Sequence, residues 1–304
     1  MARGTQKQEQ LSRMAQPPIV VTGADAPLGK ATAFALAARG IPLILIAPEG
    51  QAGRDAQAEL VHGSGNPDIA LELADLADPL ELREAAERIL ARHARLAGFV
   101  HAAVARYETE GHTAASIEMT RAVNHLAPFL LTYLLLPPLA AEAGFSPEGK
   151  TGDRPPGRAR ILVATSPRHA PLAPATPFDP DRAFAAAQFA NVQMVFELSR
   201  RLDGSGITAN AIVPSLAAPR LEGLARRWRH KGPGAIAHSL ARRRAGQGER
   251  VAHLAIDSGT GVLNGAYVVR NRPARAHPAA YDEAAAQRLW QESEIALGIG
   301  LVEA

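Results

Sequence analysis

Thr22-Gly23-Ala24-Asp25-Ala26-Pro27-Leu28-Gly29-Lys30 is a stretch whose backbone alone could do chemistry. It lies between a short apolar run, Pro18-Ile19-Val20-Val21, and a helical stretch that Gly40 ends. A strand, a glycine turn and a helix in that order aim unpaired helix N–H groups at a phosphate. Side chains able to pass a proton are fewer. His101, His125 and His169 are candidates, although a lone histidine is ordinarily surface or satisfied core. His169 is the best placed of them, three residues past Ser166 in the loop leading to the expected pocket. The chain has no cysteine, so neither a disulfide framework nor a thiolate metal site is available, and no metal is expected. Only Lys7, Lys30, Lys150 and Lys231 among the 33 basic residues are lysines, which limits where a catalytic amine could stand.

These residues need elements to position them. Buried strands are expected at Pro18–Val21, Ile41–Ala47, Asp68–Leu73, Gly98–Ala103, Arg160–Ser166, Gly206–Pro214 and Ala266–Arg270. Helices are expected through Arg39, at Ala52–Val61, at Pro79–His93, over Ser116–Leu139 with proline kinks, from Ala183 to Leu202, in two basic pieces over Pro219–Arg244, and at Asp282–Ala296. Strands alternating with helices at this rhythm predict an α/β fold with a single doubly wound parallel sheet. The chain has 304 residues, 47% of them hydrophobic, enough for one core. Residues 1–17 read as a mobile tail, 18–304 as one domain, about 143–158 as an exposed loop and about 216–247 as a basic substrate lid.

Composition excludes several functions. A net charge of +3 and the lack of a recognised module argue against nucleic-acid binding. No signal peptide is expected, and no stretch reaches about 18 unbroken apolar residues, so no membrane span is expected. Leu126–Ala141 comes nearest, interrupted by Pro128, Pro137 and Pro138. A reducing cytoplasm fits the absence of cysteine. In the basic region of Arg220, Arg226, Arg227, Arg229, His230, Lys231 and Arg242 to Arg244, the residues Leu221, Leu224, Ala225 and Trp228 fall at helical spacing on one face. It is either an amphipathic lid touching an anionic substrate or a membrane surface, or an ordinary helix with a solvated face.

Scattered agreements in order along the chain carry a resemblance. They are Val123-Asn124-His125-Leu126-Ala127-Pro128-Phe129, Glu197-Leu198-Ser199-Arg200-Arg201-Leu202, Gly206-Ile207-Thr208-Ala209-Asn210-Ala211 and Arg288-Leu289-Trp290-Gln291-Glu292-Ser293-Glu294. Over about residues 18–299 the chain resembles the short-chain dehydrogenase/reductase family, nearest its retinol dehydrogenase-like branch. The resemblance implies a Rossmann-like fold and a catalytic tetrad of Asn, Ser, Tyr and Lys. It places the Asn at Asn124, the Ser at Ser166, the Tyr at Phe184 and the Lys at Gln188. In the family, Ser polarises a carbonyl, Tyr is the acid/base, Lys lowers the Tyr pKa and holds the nicotinamide ribose, and Asn supports a water relay. Phe184 has no ionisable oxygen, and Gln188 has no charge with which to depress a neighbour's pKa. Tyr107, Tyr133, Tyr267 and Tyr281 all lack a lysine four residues on, so no shift of register restores the pair.

The resemblance implies NADP or NAD as cofactor, met by Thr22, Gly23, Leu28, Gly29, Lys30, Asp75, Leu76, Ala102 and Pro214. Pro27 replaces the middle glycine of the family's turn, removing an N–H and adding a ring where a cofactor approaches. The chain is then expected to use its pocket for a small-molecule ligand or a non-redox reaction. The alternatives are an NAD(P)-dependent oxidoreductase with an unusual proton donor such as His169, and a nucleotide-sensing regulator. Ser166 and Asn124 either act on a ligand or persist because they satisfy backbone groups. Family members often pair through the helices containing Asn124 and Phe184, implying a homodimer or homotetramer; the apolar residues there could equally be core.

Overall fold

A computed structural model describes residues 16–144, 159–214, 233–257 and 263–299. The greater part of the expected tail and loop, and the basic residues from Arg220 to Lys231, lie outside the described residues. The sheet has eight strands: β1 (Ile19–Thr22), β2 (Leu43–Ala47), β3 (Ile69–Leu73), β4 (Gly98–His101), β5 (Ala159–Ala164), β6 (Ile207–Val213), β7 (Ala266–Val269) and β8 (Arg272–Ala274). Their order is β3-β2-β1-β4-β5-β6-β7-β8, parallel except for β8, which runs antiparallel to β7. The helices are α1 (Pro27–Ala37), α2 (Gln51–Ser64), α3 (Pro79–Arg92), α4 (Met119–Ala143), α5 (Pro180–Arg201), α6 (Pro233–Ile256) and α7 (Glu283–Leu297).

β1, β2, β4, β5 and β6 are buried along their whole length because helices cover both faces. Successive residues serve opposite cores. Ile19 and Val21 of β1 join Leu36 of α1 and Val251 of α6. Val20 joins Phe99, Leu130 of α4 and Val192 of α5 on the other face. A side chain on Gly248 would fall on the Ala31 backbone, so this glycine lets α6 lie close against α1.

α4 carries a π-turn at Ala122–Leu126, one residue wider than an α-turn. The sequence supplies a cause. Pro128 has no N–H to give the carbonyl four residues earlier, which is that of Asn124. The freed carbonyl takes the Asn191 amide of α5 instead, at 2.7 Å. By length and composition α4 could cross a membrane, despite its prolines. Its Phe129, Leu130, Leu131, Leu135 and Leu139 are nonetheless buried against the sheet. Phe189, Val192 and Phe196 of α5 are buried likewise. The apolar residues that could have met a second copy are mostly core.

Among the differences from the sequence reading, three bear on the architecture. α5 begins at Pro180, not Ala183, because Asp179 caps it by accepting from the Asp181 and Arg182 N–H groups. α6 continues unbroken to Ile256, beyond the expected Arg244. The expected parallel sheet gains one antiparallel strand at its edge, where Arg270 and Asn271 at φ 51° and 61° turn the chain back into β8. That left-handed pair is what a two-residue hairpin requires.

Candidate functional site

Adjacent β1 and β4 lead to helices on opposite faces, and ligands of open α/β sheets bind outside the strand ends at such a switch point. The Thr22 hydroxyl ties the two ends together. Its oxygen accepts from the Ala102 and Ala103 N–H groups at 3.3 and 3.4 Å and lies 2.9 Å from His101 Nδ1. Two accepted bonds leave the hydroxyl proton for His101 Nδ1, which puts the ring proton on Nε2, an atom with no partner among the described residues. Burial holds the His101 pKa down at about 3. His101 is thus a neutral structural ring and not a proton donor near neutrality.

Gly23 has φ 72°, and a Cβ there would come within 2.7 Å of Ala103 Cα. A Cβ on Gly29 would collide with the Gly23 carbonyl oxygen. Both glycines therefore close the turn onto itself and onto β4. Pro27 occupies the first turn of α1, where a proline ring fits, and it is exposed. No side chain caps α1, and no partner is found among the described residues for the N–H groups of Leu28 and Gly29. Lys30 does not turn toward the strand ends; it pairs with Glu59 of α2. Asp75 is exposed, one carboxylate oxygen taking the Ala77 N–H at 2.9 Å, with half-buried Leu76 beside it. The Pro214 carbonyl accepts from Arg250 of α6 at 2.9 Å.

The second group lies past β4 and β5. Asn124, at the middle of the π-turn, donates to the Ala105 and Thr120 carbonyls at 2.7 and 2.8 Å and accepts from the Ala105 N–H at 3.0 Å. It staples the loop after β4 to α4. Gln188 is fully buried, its amide nitrogen 3.4 Å from Asn124 Oδ1 and its amide oxygen without a partner among the described residues. Phe184 is half-buried one turn earlier on α5. Ser166 follows β5, and its oxygen accepts the Arg168 N–H at 3.1 Å, leaving its proton free to donate.

His169 has other duties than proton transfer. Its Nε2 accepts the His277 N–H at 2.9 Å, and its Nδ1 lies 2.9 Å from the Ser166 carbonyl. Those contacts fix a neutral ring with the proton on Nδ1. Burial, the larger cause, and the adjoining His277 hold its pKa below the ordinary value. The Tyr267 ring packs tilted against it, centroids 4.9 Å apart, its phenol pushed up to about 12 by burial. The ring thus pins the segment after β8 to the loop after β5, and the expectation of His169 as a replacement acid gives way to that role.

The structure gathers Asn124, Gln188 and the β5 end on one side, and Thr22, Gly23 and Ala102 on the other; Lys30 faces away. Sequence reasoning passed over Asn191, Tyr267, His277 and Arg250. The helical periodicity of Val251, Leu254 and Ala255 would have pointed to the helix that carries Arg250.

Comparison with known proteins then decides the family. The short chain dehydrogenase family model matches residues 18–150. The chain is 30% identical over 293 residues to dehydrogenase/reductase SDR family member 13 of Bos taurus, covering 92% of this chain and 73% of that one. The chain belongs to the short-chain dehydrogenase/reductase family. It is also 29% identical over 292 residues to retinol dehydrogenase 12 of Homo sapiens, covering 92% and 86% of the two chains. Among solved structures, an uncharacterized protein from Mycobacterium Paratuberculosis aligns with TM-score 0.70 at 21% identity over 96% and 98% of the chains. The Pseudomonas aeruginosa RhlG/NADP active-site complex aligns with TM-score 0.60 at 21% identity over 83% and 94%. At that identity the structures speak for the fold of this short-chain dehydrogenase/reductase, and the curated relatives for its family.

Proposed function

We propose that this short-chain dehydrogenase/reductase keeps its family's cleft without the standard proton relay, and uses it to bind a small molecule or carry out a non-redox reaction on one. The observation that carries this is Gln188: a neutral, fully buried amide hydrogen-bonded to Asn124, with the phenyl ring of Phe184 one turn earlier. A phenyl ring neither gives nor takes a proton, and a neutral amide cannot lower a neighbour's pKa by charge. The histidine nearest Ser166 has both ring nitrogens engaged by backbone. Ser166, with a free hydroxyl proton, is the donor left to grip a carbonyl or other acceptor on a ligand.

A dinucleotide still fits the glycine turn. The uncapped start of α1 offers the Leu28 and Gly29 N–H groups to a pyrophosphate, assisted by the helix dipole. Gly23 and Thr22 shape that turn, Asp75 and Leu76 stand where the family meets adenine, and the unpartnered Gln188 oxygen could accept from a ribose hydroxyl. A bound nicotinamide would supply hydride exchange; this chain's residues would hold it without providing the family's acid. The names of the retinol dehydrogenase relatives make an apolar alcohol or aldehyde the first class to screen.

Calorimetric titration with NADPH, then NADH, followed by turnover assays on apolar aldehydes, tests the reading. Micromolar binding with no turnover is the expected result. Robust turnover that disappears in Ser166→Ala would overturn it. Phe184→Tyr combined with Gln188→Lys is expected to raise turnover above the parent.

A further inference from the structure

We propose that the cleft takes NAD(H) in preference to NADP(H), and that Glu49 is the residue that decides between them. This rests on the reading of the glycine turn as a dinucleotide site, and it says which dinucleotide enters.

Backbone hydrogen bonds fix the order of three strand ends. Gly23 gives its N–H to the Ile46 carbonyl of β2 at 3.2 Å, and Ala74 gives its N–H to the Ala47 carbonyl at 2.9 Å. The end of β2 therefore lies between the glycine turn and Asp75. A dinucleotide with its pyrophosphate at the start of α1 and its adenine at Asp75 and Leu76 lays the adenosine ribose across that end. The residues it meets there are Pro48 and Glu49, which follow β2 and are exposed. Pro48 has neither an N–H nor a charge to offer a phosphate. Glu49 has no hydrogen-bond or ion-pair partner among the described residues, so its carboxylate is free to accept from the two ribose hydroxyls of NAD(H). NADP(H) replaces the 2′ hydroxyl by a phosphate with about 1.5 to 2 negative charges, which the carboxylate repels. The start of α2, which no side chain caps, also favours negative charge, and Glu49 just before it already supplies that charge.

The nearby cations that would offset this repulsion are directed elsewhere. Lys30 pairs with Glu59, and that pair marks the side of α2 that faces α1. Arg54 comes five residues before Glu59, so it lies about 140° around α2 from that side, turned from α1 and the glycine turn. Arg244 lines a groove with Pro27 and Lys30, but it stands on α6, which packs over β5, three strands from β2 in the sheet. Glu249 shares that groove. At the end of β3 the charges are again negative: the Glu81 carboxylate accepts the Asp75 N–H at 2.7 Å, beside the exposed carboxylate of Asp75 itself. The ribose end of the cleft thus presents hydrogen-bond acceptors, which suit a diol, and directs no cation at a 2′-phosphate.

Calorimetry of the whole protein with NADH and with NADPH, at low and at high salt, tests this. At low salt NADH is expected to bind at least about tenfold more tightly than NADPH, and the gap should narrow at high salt, which screens exposed charges. Glu49→Gln should tighten NADPH and cut the gap to about threefold or less. Glu49→Arg should reverse the order, because a guanidinium holds a phosphate bidentately. Residue 49 is exposed, so both variants should keep a thermal midpoint near the parent's. NADPH bound by the parent as tightly as NADH, or an unchanged ratio in Glu49→Arg, would overturn the role of Glu49 and leave the glycine turn as a dinucleotide site. Binding of neither nucleotide at millimolar concentration would overturn both.

Discussion

The glycine turn and the helix that carries Phe184 are the two ends of the proposed cleft, and the fold makes different demands on them. At the turn the backbone geometry is retained. Gly23 keeps a positive φ and Gly29 still packs against the Gly23 carbonyl, because any side chain there would collide with backbone. Pro27 stands at a position that tolerates a proline ring, the first turn of α1. On α5 the backbone asks for nothing particular at positions 184 and 188; it asks only for side chains that fill a half-buried and a fully buried site. Phe184 and Gln188 fill them. Chemistry carried by backbone shape is guarded by folding itself. Chemistry carried by a side chain is not, so a fold can survive its loss.

Four single substitutions and one titration would break or sharpen that contrast. Gly29→Ala should have the largest effect, destabilising the protein by about 3–5 kcal/mol, since the clash is with backbone that cannot move aside. Gly40 has the φ of 72° that Gly23 has, but open space where its side chain would be, so Gly40→Ala should cost only about 1 kcal/mol. Urea unfolding of both variants measures the difference. Similar losses in the two would mean that the turn is not closed by contact.

Next in size is acid lability, which both ends share. His101 beside the turn and His125 beside α5 are buried and neutral, with pKa values of about 3 and about 4. Their folded values lie below the unfolded 6.5, so the unfolded chain takes up protons first as pH falls. The stability they contribute is complete above pH 6.5 and is lost progressively down to about pH 4 for His125 and about pH 3 for His101. By pH 5 the loss is about 2 kcal/mol for each ring. His169, also depressed, adds to the same trend, and its protonation would break the bond it accepts from His277. Urea midpoints that stay flat between pH 7 and pH 5 would contradict the neutral assignments.

The sequence carried most of the fold because a buried parallel sheet leaves a plain signal: apolar runs at regular intervals, each followed by helical periodicity. It carried less where one residue's environment decides the structure. Arg270-Asn271 lacks the glycine that usually marks a two-residue hairpin, so β8 went unread. The π-turn came from a hydrogen bond that Pro128 cannot make, and its consequence, the Asn124–Asn191 contact, spans two helices. Ser166 and Asn124 could be placed by their neighbours in sequence. That both answer backbone groups, and that His169 does so through both nitrogens, depends on loops whose paths no local pattern gives.

Gln188 allows a finer test of the α5 end. Its amide oxygen is buried without a partner among the described residues, and its amide nitrogen makes one long bond to Asn124. Gln188→Met keeps the volume and removes the unsatisfied oxygen, so stability should rise by up to about 1 kcal/mol. A loss of more than about 1 kcal/mol would mean that the amide has a structural partner and is not held in reserve for a ligand.

Phe184→Tyr alone should change least. The added hydroxyl enters a half-buried site at a helix surface, so unfolding free energy should stay within about 0.5 kcal/mol of the parent. Turnover should also stay near the parent's. With Gln188 neutral and no other cation brought to the site among the described residues, nothing there pulls the new phenol down from about pH 10, so at pH 7 only about one molecule in a thousand would be ionised. A phenol that weakly acidic is a poor partner for the forward or reverse proton transfer. The double variant with Gln188→Lys supplies the missing charge and should show the gain that the single one lacks. If Phe184→Tyr restored turnover unaided, the α5 end would be only one hydroxyl short of its family's chemistry, and its difference from the glycine turn would shrink to that single atom.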